Sequence, residues 1–241
     1  MWGYLSLLPA FLALWAVAGI WTVFALAVAN KSVNLNEGFP YISFCGSYPP
    51  QSCIFSQLLN MGAALAAWIC ILRYHQLRDW GVTRRFNQLI LWTGLLCAFG
   101  TSVVGNFQEK NQQPTHLTGA FLAFFVGILY FWLQLLLYWW KKNLPQPGSP
   151  WIGPLRLGLC TICTILMVAM VVLHSWVPLR SASASCEWAV AMLLFTLFGL
   201  LSVDFSCLDS CTLCLQAAPG LSPPPPLAST SPVQIQLSQG L

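Results

Sequence analysis

The chain has 241 residues, of which 57% are hydrophobic and only 7% are charged, and its formal net charge is +4. Soluble domains carry about 25% charged residues. A chain with so few charges cannot cover a water-facing surface. The composition therefore predicts an all-α membrane protein. It leaves no room for a separate soluble catalytic domain, and the scattered basic residues give no sign of nucleic-acid binding.

Six apolar blocks, each about 18–25 residues long, follow one another along the chain. Each block is long enough to cross a hydrocarbon core of about 30 Å as a helix. The predicted spans are residues 5–29, 54–72, 89–107, 117–140, 157–177 and 188–205, so residues 1–206 are expected to form a six-helix bundle. Ala27-Val28-Ala29 resembles a signal-peptide cleavage site, but span one is too long for a signal peptide and no basic residue precedes it, which favours an uncleaved anchor.

The Lys and Arg residues are divided unequally between the two ends of the predicted bundle. Seven of the ten lie in the loops that follow spans two and four: Arg73, Arg78, Arg84, Arg85, Lys141, Lys142 and Arg156. The other three, Lys31, Lys110 and Arg180, lie in the opposite loops. Short loops rich in Lys and Arg stay on the cytosolic side of a membrane. The side that contains seven of the ten basic residues is therefore predicted to be cytosolic, and so are both termini.

The first loop on the opposite side contains two cysteines and a glycosylation sequon. Cys45 and Cys53 flank a turn-forming segment in an oxidising compartment, so we expect a structural disulfide, with free thiols as the alternative. Asn30-Lys31-Ser32 matches the N-glycosylation sequence. Because Asn30 abuts the membrane, we expect it to be unmodified.

Small residues recur every four positions in span four, at Gly119, Ala123 and Gly127. This spacing lets membrane helices approach closely. Packing within one chain is the default interpretation, and a homodimer face is the alternative.

Polar side chains inside the spans are uncharged: Gln57, Asn60, Asn106 and Gln134. They indicate either a polar cavity or interhelical hydrogen bonds, and the second interpretation is favoured. Asp204, Glu187 and His174 lie near span ends, where we expect all three to reach the membrane interface.

The segment 207–241 has no Lys or Arg and contains a proline run at Pro223–Pro226, so it is predicted to be a disordered cytosolic tail. Cys207, Cys211 and Cys214 begin it and are either palmitoylated or unmodified thiols. Cys160 and Cys163 are expected to be core residues. The sequence contains no recognisable catalytic or metal-binding motif, so we expect neither enzymatic activity nor a cofactor.

Four stretches of the sequence resemble signatures of one membrane-protein family. They are FPYISFCGSYPPQSCIF at residues 39–55, with Pro40, Tyr41, Ile42 and Ser43; NFQE, which is Asn106, Phe107, Gln108 and Glu109; the pattern His116, Gly119, Gly127, Tyr130 and Gln134; and CEW, which is Cys186, Glu187 and Trp188, with Asp204-Phe205 further on. Together they are similar to the family of DRAM (damage-regulated autophagy modulator) and transmembrane-150 proteins, and the Cys45/Cys53 pair is similar to the transmembrane-150 branch.

This resemblance implies six spans with cytosolic ends, residence in the plasma membrane and in endosomal, lysosomal or autophagosomal membranes, and non-enzymatic modulation of macroautophagy, endolysosomal trafficking and cell survival. The implied partners are membrane lipids and membrane or cytosolic proteins not identified by the sequence. Two alternatives stay open. One is an ion channel or channel-modulating subunit, and the other is an organiser of plasma-membrane lipids or of phosphoinositide-kinase recruitment.

Overall fold

The computed structural model describes residues 3–141 and 144–208. Regular structure in these residues is helical throughout. The helices are α1 (Leu7–Ala29), α2 (Ile42–Cys45), α3 (Gln51–Asp79), α4 (Arg84–Asn106), α5 (Gln113–Phe121), α6 (Gly127–Trp140), α7 (Ile152–His174) and α8 (Arg180–Phe205). Short 3-10 turns, Tyr4–Ser6 and Val177–Leu179, precede α1 and α8.

Six helical segments are long and apolar enough to cross a membrane, and they occur in the predicted order: Tyr4–Ala29, Gln51–Asp79, Arg84–Asn106, Gln113–Trp140, Ile152–His174 and Val177–Phe205. Their apolar side chains make an α-helix the natural spanning structure, because a helix satisfies its backbone hydrogen bonds internally. The predicted six-helix membrane architecture is thus confirmed. The side of the membrane that each end faces stays a prediction.

We name the two ends of the bundle by their residues. The motif end contains the connections 30–50, 107–112 and 175–179. The arginine end contains the connection 80–83, residues 141 and 144–151, and the described residues just before α1 and just after α8.

Several helices continue beyond the apolar blocks. Arg73 and Arg78, expected in a loop, lie in the last two turns of α3, which ends at Asp79. Arg156, expected at a loop edge, lies inside α7. The physical reason is that these turns remain packed against neighbouring helices, so charged residues continue the helix instead of ending it.

The fourth span changes helix type at its middle. Leu122–Val126 forms a π-helical turn between α5 and α6. A π turn inside an α-helix is rare and frequently occurs at a functional site. Phe124 of this turn lies in the wall of two cavities described below.

Gly100 and Gly119 allow the fourth span to lie against α4 at close range. A Cβ atom at Gly100 would be 2.7 Å from both the Gly119 carbonyl oxygen and the Ala123 nitrogen, and one at Gly127 would be 3.0 Å from the Cys97 sulfur. The small-residue face of span four therefore packs against α4 of the same chain. A homodimer face stays a prediction.

Candidate functional site

Two of the sequence signatures meet at the motif end, where the first connection packs on α8. The backbone N–H of Ile42 donates a hydrogen bond to Glu187 Oε2 at 2.8 Å, and Trp188 Nε1 donates to the Pro40 carbonyl oxygen at 3.0 Å. The Trp188 ring also packs against Phe24 and Phe39, with centroids 5.5 and 5.7 Å away. The PYIS segment is thus held to the start of span six.

The other signatures complete the same cluster. Ser43 Oγ donates to Glu109 Oε2 at 2.7 Å, which links the first connection to the NFQE segment. His116 Nδ1 lies 2.6 Å from the Phe107 carbonyl oxygen, so this nitrogen is the protonated donor. We call Tyr41, Ser43, Glu109, His116 and Glu187 the motif cluster.

Tyr41 and His174 close the cluster toward α7. The Tyr41 hydroxyl lies 2.9 Å from His174 Nδ1. Partial burial raises the pKa of the Tyr41 phenol, so its hydroxyl stays protonated at neutral pH. Tyr41 is therefore a neutral hydrogen-bonding group at this site.

The motif cluster lines two adjoining cavities. One, of about 230 Å³, lies between the first connection, α5, α7 and the start of α8, and Glu109 and His174 line it. The other, of about 120 Å³, extends between α1, α3, α4 and α8 and is almost entirely apolar. Their shared lining residues are Ser43, His116, Ala120, Phe124 and Glu187.

Glu187 departs from its sequence-based interpretation. The sequence predicts that it reaches the membrane interface, but only 9% of the residue is exposed. The reason is the PYIS segment, which folds over the start of α8 and covers it. The sequence alone does not predict that these signatures lie close together, because 145 positions separate Ile42 from Glu187.

The remaining signature residues are arranged around this cluster. Gln108 Oε1 accepts a hydrogen bond from Asn111 Nδ2 at 2.6 Å within the same turn. Cys186 is partly buried and is a free thiol. Asn106 belongs to a separate network between α3 and α4, described below.

Cys45 and Cys53 are free thiols in the structure, the first buried and the second exposed. Cys45 ends α2 and faces the core, whereas Cys53 faces outward from the first turn of α3. Burial raises the pKa of the Cys45 thiol to about 12. The disulfide is thus not formed in this structure, and the pairing stays a prediction.

Asn30 is exposed immediately after α1. Its Nδ2, the atom that glycosylation would modify, donates to Gln51 Oε1 at 3.2 Å, and Ser32 Oγ donates to the Ala27 carbonyl oxygen. Both side chains of the sequon are therefore engaged with the protein. An unmodified Asn30 stays our expectation.

A second polar cluster lies at the arginine end. Asp204, in the last turn of α8, forms ion pairs with Arg73 of α3, at 3.3 Å, and with Arg156 of α7. Arg73 also donates to Gln134 Oε1 and Gln76 Oε1, and Arg156 donates to the Leu200 carbonyl oxygen. We call Arg73, Arg156 and Asp204 the ionic triad.

The ionic triad corrects the expectation that Asp204 reaches the interface. The side chains of Asp204 and Arg73 are 6% and 7% exposed, because three helices close around them. The sequence contained a signal for this arrangement: an acidic residue in the last turn of one span, with arginines at the same depth on two others. The apolar block ends at residue 72, so the sequence pattern places Arg73 in a loop and does not predict its depth in the bundle.

The uncharged polar residues of the spans are used in different ways. Asn60 and Asn106 donate to each other across α3 and α4, at 2.9 and 3.1 Å, and Ser102 Oγ donates to Asn60 Oδ1. This is the interhelical bonding that the sequence favoured over a polar cavity. Gln57 is exposed on the surface of α3.

The other cysteines fall into two groups. Cys160 and Cys163 are buried in the core of the bundle, as expected for packing residues. Cys207 is exposed just after α8, whereas Cys211 and Cys214 lie outside the described residues. Their palmitoylation stays a prediction.

A family model described as the Frag1/DRAM/Sfk1/Cwh43P N-terminal domain matches residues 4–208, which include every signature placed above. The chain belongs to this family. The resemblance seen in the sequence is therefore confirmed, and the match covers the whole helical bundle.

Comparison with individual proteins places the chain beside the B type of the transmembrane-150 branch. It is 74% identical over 235 residues to the Homo sapiens protein named "Modulator of macroautophagy TMEM150B" and 75% identical over 237 residues to the Bos taurus protein of the same name. Each alignment covers 98% of this chain and 100% of the relative. The Mus musculus "Transmembrane protein 150A" is 34% identical over 241 residues, with 89% of each chain covered. No solved structure matches significantly.

Proposed function

We propose that this protein is a non-enzymatic multi-pass membrane modulator of macroautophagy, endolysosomal trafficking and cell survival, which acts through contacts with lipids or partner proteins. The observation that carries the proposal is the end-to-end similarity to relatives named as modulators of macroautophagy. At about three identical residues in four over the full length, we expect these relatives to have the same six helices and the same motif cluster.

The site chemistry supports a binding role. In the motif cluster, Glu187 accepts a backbone hydrogen bond and Glu109 accepts one from Ser43, so both carboxylates help to hold the first connection in place. A general base needs hydrogen-bond reach to a proton that it removes and a nucleophile to activate. The cluster supplies shape and polarity instead.

We place the protein in the plasma membrane and in endosomal, lysosomal or autophagosomal membranes, with both termini in the cytosol. The location rests on the family resemblance and the orientation on the excess of basic residues at the arginine end. Epitope tags at each terminus test the orientation. Antibody access to either tag on intact cells would contradict it.

The functional test is autophagic flux in cells that lack the protein, measured with and without a lysosomal inhibitor. We expect altered flux, restored by the wild-type chain. Glu187→Ala, which removes the acceptor for the Ile42 amide, is expected not to restore it. The matched control is Glu37→Gln, because Glu37 is an exposed acid of the same connection whose side chain hydrogen-bonds with Asn34 alone among the described residues. Unchanged flux in the deletion would contradict the proposed function.

A further inference from the structure

The two cavities at the motif end meet at the motif cluster, and the larger one has more polar groups in its wall. The cavity of about 230 Å³ has Glu109, Glu187, His116 and His174 in its wall. The adjoining cavity of about 120 Å³ runs between the helices past Leu12, Leu58, Leu194 and Phe198. Because they share wall residues, the two cavities adjoin at the motif cluster; we call the part of the larger cavity that these polar groups line the entrance.

At this entrance the hydrogen-bond donors of the protein are already engaged with other protein atoms. The polar atoms that remain free are acceptors. Ser43 Oγ donates to Glu109, and Ser183 Oγ donates to the Met170 carbonyl oxygen at 2.8 Å. His116 donates through Nδ1 to a carbonyl, which leaves Nε2 as an acceptor in the neutral ring. The entrance therefore has few donors to offer a ligand.

Two of these acceptors lack a partner within the part of the chain that the structure describes. Glu187 accepts one hydrogen bond through Oε2, and His116 makes one through Nδ1; neither Glu187 Oε1 nor His116 Nε2 has a protein donor. His116 is 3% exposed and Glu187 is 9% exposed, and both line the two cavities. Neither atom is among the fully enclosed polar atoms that lack a partner, so both are accessible from the cavities and can accept hydrogen bonds from a ligand that donates.

The acidic groups in the walls favour a cation over an anion as that ligand. Two carboxylates, Glu109 and Glu187, line the larger cavity, and neither cavity has a Lys or Arg among its described wall residues. The nearby cation Lys110 donates to the Tyr48 hydroxyl at 2.8 Å and lies over the Tyr48 ring. Arg180 is exposed at the start of α8. A buried carboxylate favours a cation that can also hydrogen-bond.

We propose that the motif cluster binds an amphiphile with a protonated primary amine and a hydrocarbon chain. The ammonium group lies between Glu109 and Glu187 and donates to Glu187 Oε1 and His116 Nε2, and the hydrocarbon chain passes Phe124 into the apolar cavity. An ammonium group suits this wall because it has three donors and no acceptor. This inference names the ligand class for the lipid contacts of the proposed function and rests on them.

The test uses purified full-length protein in lipid nanodiscs and a photoactivatable hexadecylamine. Three competitors share the same hydrocarbon chain and differ only in the head. Hexadecylamine has charge and donors, hexadecyltrimethylammonium has charge without N–H donors, and N-acetylhexadecylamine has no charge. We expect labelling of wall residues near Phe124 and competition by the primary amine at a concentration about tenfold lower than by either other compound, because charge-assisted hydrogen bonds are lost in both.

Variants locate the head group. Glu109→Gln together with Glu187→Gln keeps the acceptors for Ser43 and Ile42 but removes both acidic groups, and we expect labelling to fall about tenfold or more. Glu37→Gln, outside the cavity walls, should label like the wild type. If the double variant does not fold, the competition series on the wild-type protein still decides.

Equal competition by the three compounds, or labelling confined to lipid-facing residues such as Leu136, would overturn the proposal. Because this assay uses purified protein, its failure leaves the flux experiment untouched. A normal binding result with unchanged flux would instead contradict the autophagy role alone.

Discussion

At the arginine end of the bundle Asp204 lies between two guanidinium groups, whereas at the motif end Glu187 has a single backbone amide as its described partner. Both carboxylates are buried and both belong to α8. The first has opposite charges on two neighbouring helices, and the second faces a cavity. The comparison indicates that the ionic triad holds helices together, whereas the motif cluster has polar atoms that are free to contact a ligand.

The largest effect is expected from breaking the ionic triad. Asp204→Ala would leave the buried Arg73 and the partly buried Arg156 without their counter-charge, and removal of one partner of a buried pair costs about 3–5 kcal/mol. We expect a large drop in the midpoint of thermal unfolding of the detergent-solubilised protein.

The control for this variant is Asp79→Ala on α3. Asp79 pairs with Arg78 at 3.2 Å, but the two side chains are 66% and 59% exposed. An exposed pair contributes about 0–1 kcal/mol, so the midpoint should hardly change. Equal losses in the two variants would mean that burial of the triad is not what stabilises the arginine end.

A second variant tests the close contact between span four and α4. Gly100→Leu would force side-chain atoms against the Gly119 carbonyl oxygen and the Ala123 nitrogen, which are backbone atoms that cannot turn aside. We expect a loss of about 3 kcal/mol, the upper part of the usual range for overpacking. Gly158→Leu is the matched control, since a Cβ there meets nothing within 4 Å. A stable Gly100→Leu protein would contradict the contact.

A third variant tests how the first connection is fixed at the motif end. Trp188→Phe removes the donor to the Pro40 carbonyl oxygen while keeping an aromatic ring. We expect a loss of about 1–2 kcal/mol in the free energy of unfolding, because a buried acceptor loses its partner. Trp176→Phe, at a residue that is 62% exposed, should be neutral. A neutral Trp188→Phe would show that the PYIS segment is held by other contacts.

The smallest effect is expected at the network between α3 and α4. Asn60→Leu removes its hydrogen bonds with Asn106 and Ser102, and interhelical hydrogen bonds in membranes contribute about 0.6 kcal/mol each. We expect a loss of about 1 kcal/mol, with Gln57→Leu as the surface control. A loss as large as that of Asp204→Ala would give this network a role beyond packing.

The sequence was sufficient for the number and order of the spans, since each apolar block has the length that a membrane requires. It was insufficient for both clusters, for different reasons. The ionic triad joins Arg73 to Asp204, and the helical continuation of α3 past its apolar block concealed their common depth. The motif cluster depends on how the first connection folds over α8. The periodicity of apolar residues in a sequence does not predict how an irregular connection folds.

The most direct test of the difference between the two ends is a crossed measurement on Glu187→Gln and Asp204→Asn. Thermal unfolding of each purified protein is followed with and without hexadecylamine. We expect Glu187→Gln to unfold near the wild-type temperature and to lose the stabilisation by the amine. Asp204→Asn should unfold at a lower temperature and keep that stabilisation. Loss of both properties in both variants would contradict the assignment of binding to one end and stability to the other.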